Sequence, residues 1–205
     1  MIAIIDYDAG NIRSVEKALL YLGQEAVITR DPKIILGADG VILPGVGAFG
    51  DAMGKLHAYG LVQVIRQCVQ GNKPFLGICL GLQLLFESSG ESPGVEGLGV
   101  LKGKVVRLPS EAGLKIPHIG WNDLKFPNSG RLFQGLKKGT FVYFVHSYYL
   151  MAKEPDIVTA TTEYGAVIHA SVEKGNVFAC QFHPEKSSDA GLTILQNFVN
   201  VTGGV

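Results

Sequence analysis

Two hydrophobic patterns divide the chain near Gly90. Before it, short continuous apolar runs alternate with stretches of helical spacing. Residues 2–5 form one such run, and Ile12, Val15, Leu19 and Leu22 then recur at helical intervals until Gly23 stops them. Residues 26–29 and 40–43 read as further strands, the second running into the turn PGVGAFGD. Apolar residues at 61, 62, 64, 65 and 69 predict a helix closed by Gly71 and Asn72. A buried strand over 74–78 and a helix over 80–86 follow. Strands alternating with helices predict a parallel sheet covered on both faces.

After Gly90 glycine and proline become frequent, and shorter alternating runs occupy 104–108, 141–149, 157–162, 166–172 and 177–182. These predict antiparallel strands, with a final helix over 190–201. No repeat, low-complexity tract or long linker divides the sequence, so a single domain over 1–205 is expected. The fold class is therefore α/β, a mostly parallel central sheet flanked by helices with an additional antiparallel region.

Composition narrows the function classes. The 205 residues suffice for one sizeable core, and 47% hydrophobic against 18% charged residues reads as a compact soluble chain. Lys plus Arg and Asp plus Glu are equal at 18 each, so no global field draws the chain to nucleic acid or an anionic membrane. The opening MIAIIDYDAG lacks a basic leader, and Asp6 and Asp8 interrupt it, so it reads as a buried strand, not a signal peptide. No run approaches the roughly 20 apolar residues of a spanning helix. Three cysteines, an odd number at no metal-ligand spacing, predict free thiols and a cytoplasmic protein.

One cysteine stands apart. Cys79 lies where the strand FLGI must turn into the helix LGLQLLF, between Gly77 and Gly81. A nucleophile elbow has this form: the central residue is strained and exposed, and small neighbours let the strand and helix backbones approach. Free N–H groups at the helix start, that of Leu80 included, favour a thiolate and then an oxyanion. A buried core cysteine is the alternative, and it is the expected fate of Cys68 and Cys180. Among five histidines, His183 in FHPEKS is the candidate base. Residues two apart in an extended segment share a side, so Glu185 can reach the ring and fix its tautomer. The glycines of LPGVGAFGD leave backbone amides, those near Val46 and Gly47 among them, free to face an oxyanion. An ordinary Gly-rich turn is the alternative there, and a P-loop is not, because its Lys-Ser/Thr ending is missing.

GICLG followed by Gln83, with HPE near the C-terminus, resembles the class I (triad) glutamine amidotransferases. The segments DYDAGN, PGVGAFGD, GICLGLQLLFE, KIPHIGWN, YFVHSYY and QFHPEKS are further similar to the branch of that family that feeds ammonia to a cyclase in histidine biosynthesis. The resemblance spans nearly the whole chain and implies the flavodoxin-like fold of the family. It implies a triad of Cys79, His183 and Glu185, with Val46 and Gly47 in the oxyanion strand. Gln83 and Glu91 would hold glutamine, Glu91 through the amino group, and Ser147 and Tyr148 would hold its carboxylate. An amino-acid zwitterion needs such an acceptor and such donors. The implied partner is a (β/α)8-barrel cyclase, with Asn11, Trp121 and Lys186 toward it. No metal or organic cofactor is implied. The alternatives are a glutaminase serving another synthase (pyridoxal phosphate, anthranilate or carbamoyl phosphate), a cysteine peptidase or dienelactone-hydrolase-like enzyme, and a binding module with a dead site.

Overall fold

In the computed structural model, residues 1–110 and 114–203 are described. The first half runs β1 (Ile2–Ile5), α1 (Ile12–Tyr21), β2 (Ala26–Thr29), α2 (Pro32–Gly37), β3 (Gly40–Leu43), α3 (Phe49–Ala58), α4 (Leu61–Gln70), β4 (Phe75–Ile78) and α5 (Leu80–Leu84). The second half adds β5 (Ser88–Ser89), β6 (Gly103–Arg107), β7 (His118–Asp123), β8 (Phe141–His146), β9 (Tyr148–Ala152), β10 (Val158–Glu163), β11 (Val167–Lys174), β12 (Val177–Cys180) and α6 (Ser188–Val201).

Seven strands form the central sheet in the order β10-β11-β12-β4-β3-β1-β2. The five from β12 to β2 are parallel, while β11 and β10 continue the sheet antiparallel. Every residue of β1, β3, β4 and β12 is buried, which is why these strands read as unbroken apolar runs. Alternate side chains feed two layers. Ala3 and Ile5 pack with Ile35, Met53, Leu56 and Ile65 of α2, α3 and α4. Ile2 and Ile4 pack with Val15, Leu19, Leu195 and Phe198 of α1 and α6 on the other face. A fully buried side chain such as Phe198 contributes about 1.5–3 kcal/mol by its transfer from water. Small sheets β5-β6-β9 and β7-β8 lie beside this core.

Departures from the sequence pattern have local causes. Strand β12, expected among antiparallel strands, pairs antiparallel with β11 on one side but parallel with β4 on the other. The run over 141–149 breaks at Ser147 into β8 and β9. Helix α3 begins inside the Gly-rich segment without a side-chain cap of its own; Glu91 and Ser92 supply acceptors to the Phe49 and Gly50 amides instead. Helix α2 is too short for its apolar spacing to stand out, and its start is set by Asp31, whose carboxylate accepts the Lys33 amide, and by Pro32 in the first turn.

The carboxyl ends of β3, β4 and β12 meet at the elbow, where backbones approach closely. A Cβ on Gly81 would lie 1.8 Å from the Leu43 carbonyl oxygen, and one on Gly77 2.8 Å from the Gly81 oxygen. Gly81→Ala must therefore separate two packed backbones. It is expected to lower the unfolding free energy by about 3 kcal/mol, read from urea denaturation; an unchanged midpoint would mean that the approach relaxes freely.

Candidate active site

Cys79 stands between β4 and α5 with φ 54° and ψ −108°. A non-glycine residue held there stores about 1–3 kcal/mol of strain. The elbow is over-determined by its bonds: the Cys79 amide donates to the Cys180 carbonyl at 2.8 Å, and the Leu82 amide donates to the Cys79 carbonyl at 3.1 Å. The glycine frame expected from the sequence is thus a steric requirement on both sides of the thiol.

His183 follows β12 by three residues and is fixed through its backbone. Its amide donates to the Tyr143 carbonyl at 2.9 Å, and its carbonyl accepts the Ser187 hydroxyl at 2.6 Å. Its Nδ1 donates to Glu185 Oε1 at 2.7 Å, with both side chains withdrawn from solvent. Asn11, at the start of α1 with φ 70°, donates from Nδ2 to the same carboxylate oxygen at 2.5 Å. The far ring nitrogen, Nε2, is buried without a formed hydrogen bond. Burial alone would lower the His183 pKa, but Cys79 and then Glu185 favour the protonated ring and carry it up to about 9.

A cavity of about 290 Å3 opens beside the thiol, lined by Val46, Gly47, Leu80, Gln83, Glu91, Ser147 and Tyr148 as well as Cys79. Gln83 donates to the Tyr148 carbonyl at 3.0 Å and to Gln181 Oε1 at 3.1 Å, and Gln181 in turn lies 3.7 Å from the Cys79 sulfur. Glu91 reaches in at the N-terminus of α3, accepting the Phe49 amide at 2.8 Å. The Leu80 amide is engaged, donating to the Gly45 carbonyl at 3.3 Å. Behind that carbonyl the buried Tyr7 hydroxyl donates to the Pro44 oxygen at 2.8 Å, and the same hydroxyl occupies the place of a Cβ on Gly45.

A family profile, glutamine amidotransferase class-I, matches residues 3–201. The chain belongs to that family. It is 56% identical over 197 residues to the imidazole glycerol phosphate synthase subunit HisH of Moorella thermoacetica, covering 96% of this chain and 93% of that one. With the protein of the same name from Aquifex aeolicus the identity is 53% over 196 residues, 95% of this chain and 94% of the other. Among solved structures, a glutamine amidotransferase superposes with a TM-score of 0.77 at 23% identity, over 99% of this chain and all of that one, which supports the fold.

Most of the residues singled out in sequence gather around one cavity of this amidotransferase. Val46, Gly47, Cys79, Leu80, Gln83, Glu91, Ser147 and Tyr148 line it, and Asn11 joins His183 and Glu185 behind it. Trp121 and Lys186 stand apart on the surface. Three further neighbours carry weaker signals. Gln181 precedes His183 by two residues and so shares its side, which strand periodicity could have shown. Tyr7 and His146 fall in the motifs quoted above, but nothing local marks their side chains as facing the site.

The raised His183 pKa has a consequence for stability. The ring's ordinary value is 6.5, so the folded state binds its proton more tightly than the unfolded chain. That contribution is complete below about pH 6.5 and is lost as pH rises through about 9. Cys79→Ala removes the largest group holding the proton on. The imidazole titration midpoint, followed by NMR, is expected to fall, and the variant to lose less unfolding free energy than the wild type across that interval.

Proposed function

We propose that this chain is the glutaminase subunit of an imidazole glycerol phosphate synthase. The observation that carries the reading is the cavity itself: a thiol on a strained elbow at its floor, a carboxylate from Glu91 at one side, and the Ser147–Tyr148 segment at another. An amino acid with an amide side chain fits that set, its ammonium on Glu91, its carboxylate at Ser147 and Tyr148, and its amide near Gln83 and the sulfur. Relatives at 53–56% identity along nearly the full length bear the HisH name.

In the proposed reaction, the proton given up by Cys79 already rests on His183 Nε2, as the raised pKa of the ring favours, and the thiolate attacks the glutamine amide carbon. The resulting oxyanion is held by the Leu80 amide and a donor from the Val46–Gly47 segment. His183 then protonates the departing ammonia, leaving a glutamyl thioester. Water, deprotonated by His183, releases glutamate and restores the thiol. Glu185, accepting from Nδ1, keeps the reacting nitrogen facing the sulfur and supports the imidazolium. Because the Gly45 carbonyl occupies the Leu80 amide, the 44–47 segment must turn before the oxyanion can be bound. Control of the site acts at this step.

Ammonia lost to water would be protonated, so the product must pass directly to a synthase. The β7-β8 hairpin supplies a surface for that partner. Register places Trp121 opposite Tyr143, and Ile119 opposite Val145, on one face. Trp121 is 51%, Ile119 59% and Phe141 56% exposed. So large a cluster of exposed apolar side chains marks an interaction site, and Val145 also lines the cavity, joining the face to the chemistry. With Lys186 and Asn11 nearby, this face docks on a (β/α)8-barrel cyclase that uses the ammonia to form imidazole glycerol phosphate and aminoimidazole carboxamide ribonucleotide. A cytoplasmic setting accords with three free cysteines and no helix long and apolar enough to cross a membrane among the described residues.

In the complex, Cys79→Ala is expected to abolish glutamine-dependent synthesis while leaving synthesis from added ammonia intact. Loss of both would refute a purely ammonia-supplying role. Trp121→Ala is expected to weaken binding to the cyclase by about 2 kcal/mol, roughly thirtyfold in Kd by titration calorimetry; unchanged affinity would move the interface elsewhere.

A further inference from the structure

The motifs KIPHIGWN and YFVHSYY contribute two buried histidines that the proposed reaction does not use. His118 and His146 are opposed across the β7-β8 pair and both are nearly excluded from solvent. His118 is clamped between the rings of Phe144 and Tyr164, with centroids 4.9 and 3.9 Å away and planes within 17° and 14°. His118 Nδ1 lies 3.1 Å from His146 Nε2, and His146 Nδ1 lies 2.9 Å from the Tyr148 carbonyl oxygen. At the other end, Asn122 Nδ2 is 3.4 Å from His118 Nε2 and also donates to the Glu163 carbonyl at 3.0 Å.

Only one arrangement of protons satisfies these contacts. A carbonyl oxygen accepts, so His146 must carry its proton on Nδ1. In the neutral ring its Nε2 is then an acceptor, which requires a proton on His118 Nδ1. That leaves His118 Nε2 bare to accept from the Asn122 amide, whose own oxygen accepts the Asp123 amide at 2.9 Å and so fixes its orientation. Protonating either ring would set donor against donor. Burial keeps both rings neutral, holding His118 down at about 4, and burial with the neighbouring His118 holds His146 at about 3. The chain ends on an atom that matters: the Tyr148 carbonyl also receives Gln83, and it belongs to the segment lining the cavity.

We propose that His118 and His146 are positioning residues for substrate binding, a one-way hydrogen-bond chain from Asn122 to the Tyr148 carbonyl that fixes the Ser147–Tyr148 wall against which the glutamine backbone rests. This inference builds on the glutaminase reading. It also accounts for the spacing of His118 and Asn122, four apart on one face of β7, the face opposite that of Trp121.

The test combines a proton assignment with kinetics. Long-range 1H–15N spectra of the full chain labelled at histidine are expected to show His118 and His146 both in the Nδ1–H form at neutral pH. In the complex with the cyclase, His118→Phe keeps the aromatic stack and removes the donor. It is expected to raise KM for glutamine about tenfold with kcat within about twofold, and His118→Gln, which restores a donor, to recover most of the loss. A thermal melt of each variant shows whether it is folded. An Nε2–H form at either ring, an unmoved KM in a folded His118→Phe, or a fall in kcat at constant KM would each overturn the proposal. Failure of the glutaminase reading would look different, since the wild-type complex itself would then release no glutamate.

Discussion

The close approach of β3, β4 and α5 at the elbow is the constraint on which the site depends. Gly81 meets the Leu43 carbonyl so tightly that no side chain fits, and that packing accompanies the positive φ of Cys79, which lines the cavity although largely buried. The same packing sets the distance from β3 to the helix start. It thereby brings the Gly45 carbonyl to the Leu80 amide. Nucleophile, oxyanion donor and the loop that occupies that donor are consequences of one steric fact, and the sheet's two buried layers supply the rigidity that sustains it.

The second half of the molecule delivers everything the thiol needs. Strand β12 lies beside β4, so its continuation carries Gln181 and His183 past the sulfur, and the turn after it brings Glu185 under the ring. The β8-β9 break at Ser147 turns the chain across the cavity mouth. Polar groups this deeply buried are costly unless partnered, and most are: Gln83, Gln181, His118 and His146 share acceptors and donors in a connected set. What is left without a partner among the described residues includes His183 Nε2 and Glu185 Oε2, the atoms facing the chemistry and its support.

Much of this is legible in the amino-acid sequence. Fully buried parallel strands announce themselves as short apolar runs, and glycines on both sides of a cysteine at a strand-to-helix junction point to an elbow. Local patterning does not reveal partners chosen by the tertiary fold. The parallel side of β12 depends on which strand it meets, and the start of α3 depends on acceptors from Glu91 and Ser92, distant in sequence. Nothing around Asn11 signals a carboxylate, and only the folded chain brings Glu185 to it. His118 and His146 are visible as letters of motifs, but a proton arrangement is a property of contacts across strands.

Strand order carries one consequence for how the protein comes into being. β4 has β3 on one side, and its other edge stays open until β12 arrives near the end of the chain. A nascent polypeptide emerging from the ribosome can assemble β1 through β4 with their helices, but Cys79 then has neither His183 beside it nor the Cys180 carbonyl beneath it. The reactive thiol is therefore made before its base, and the site is complete only once β12 and the segment through Glu185 have followed. Until that moment the apolar strand β4 has one edge without its partner.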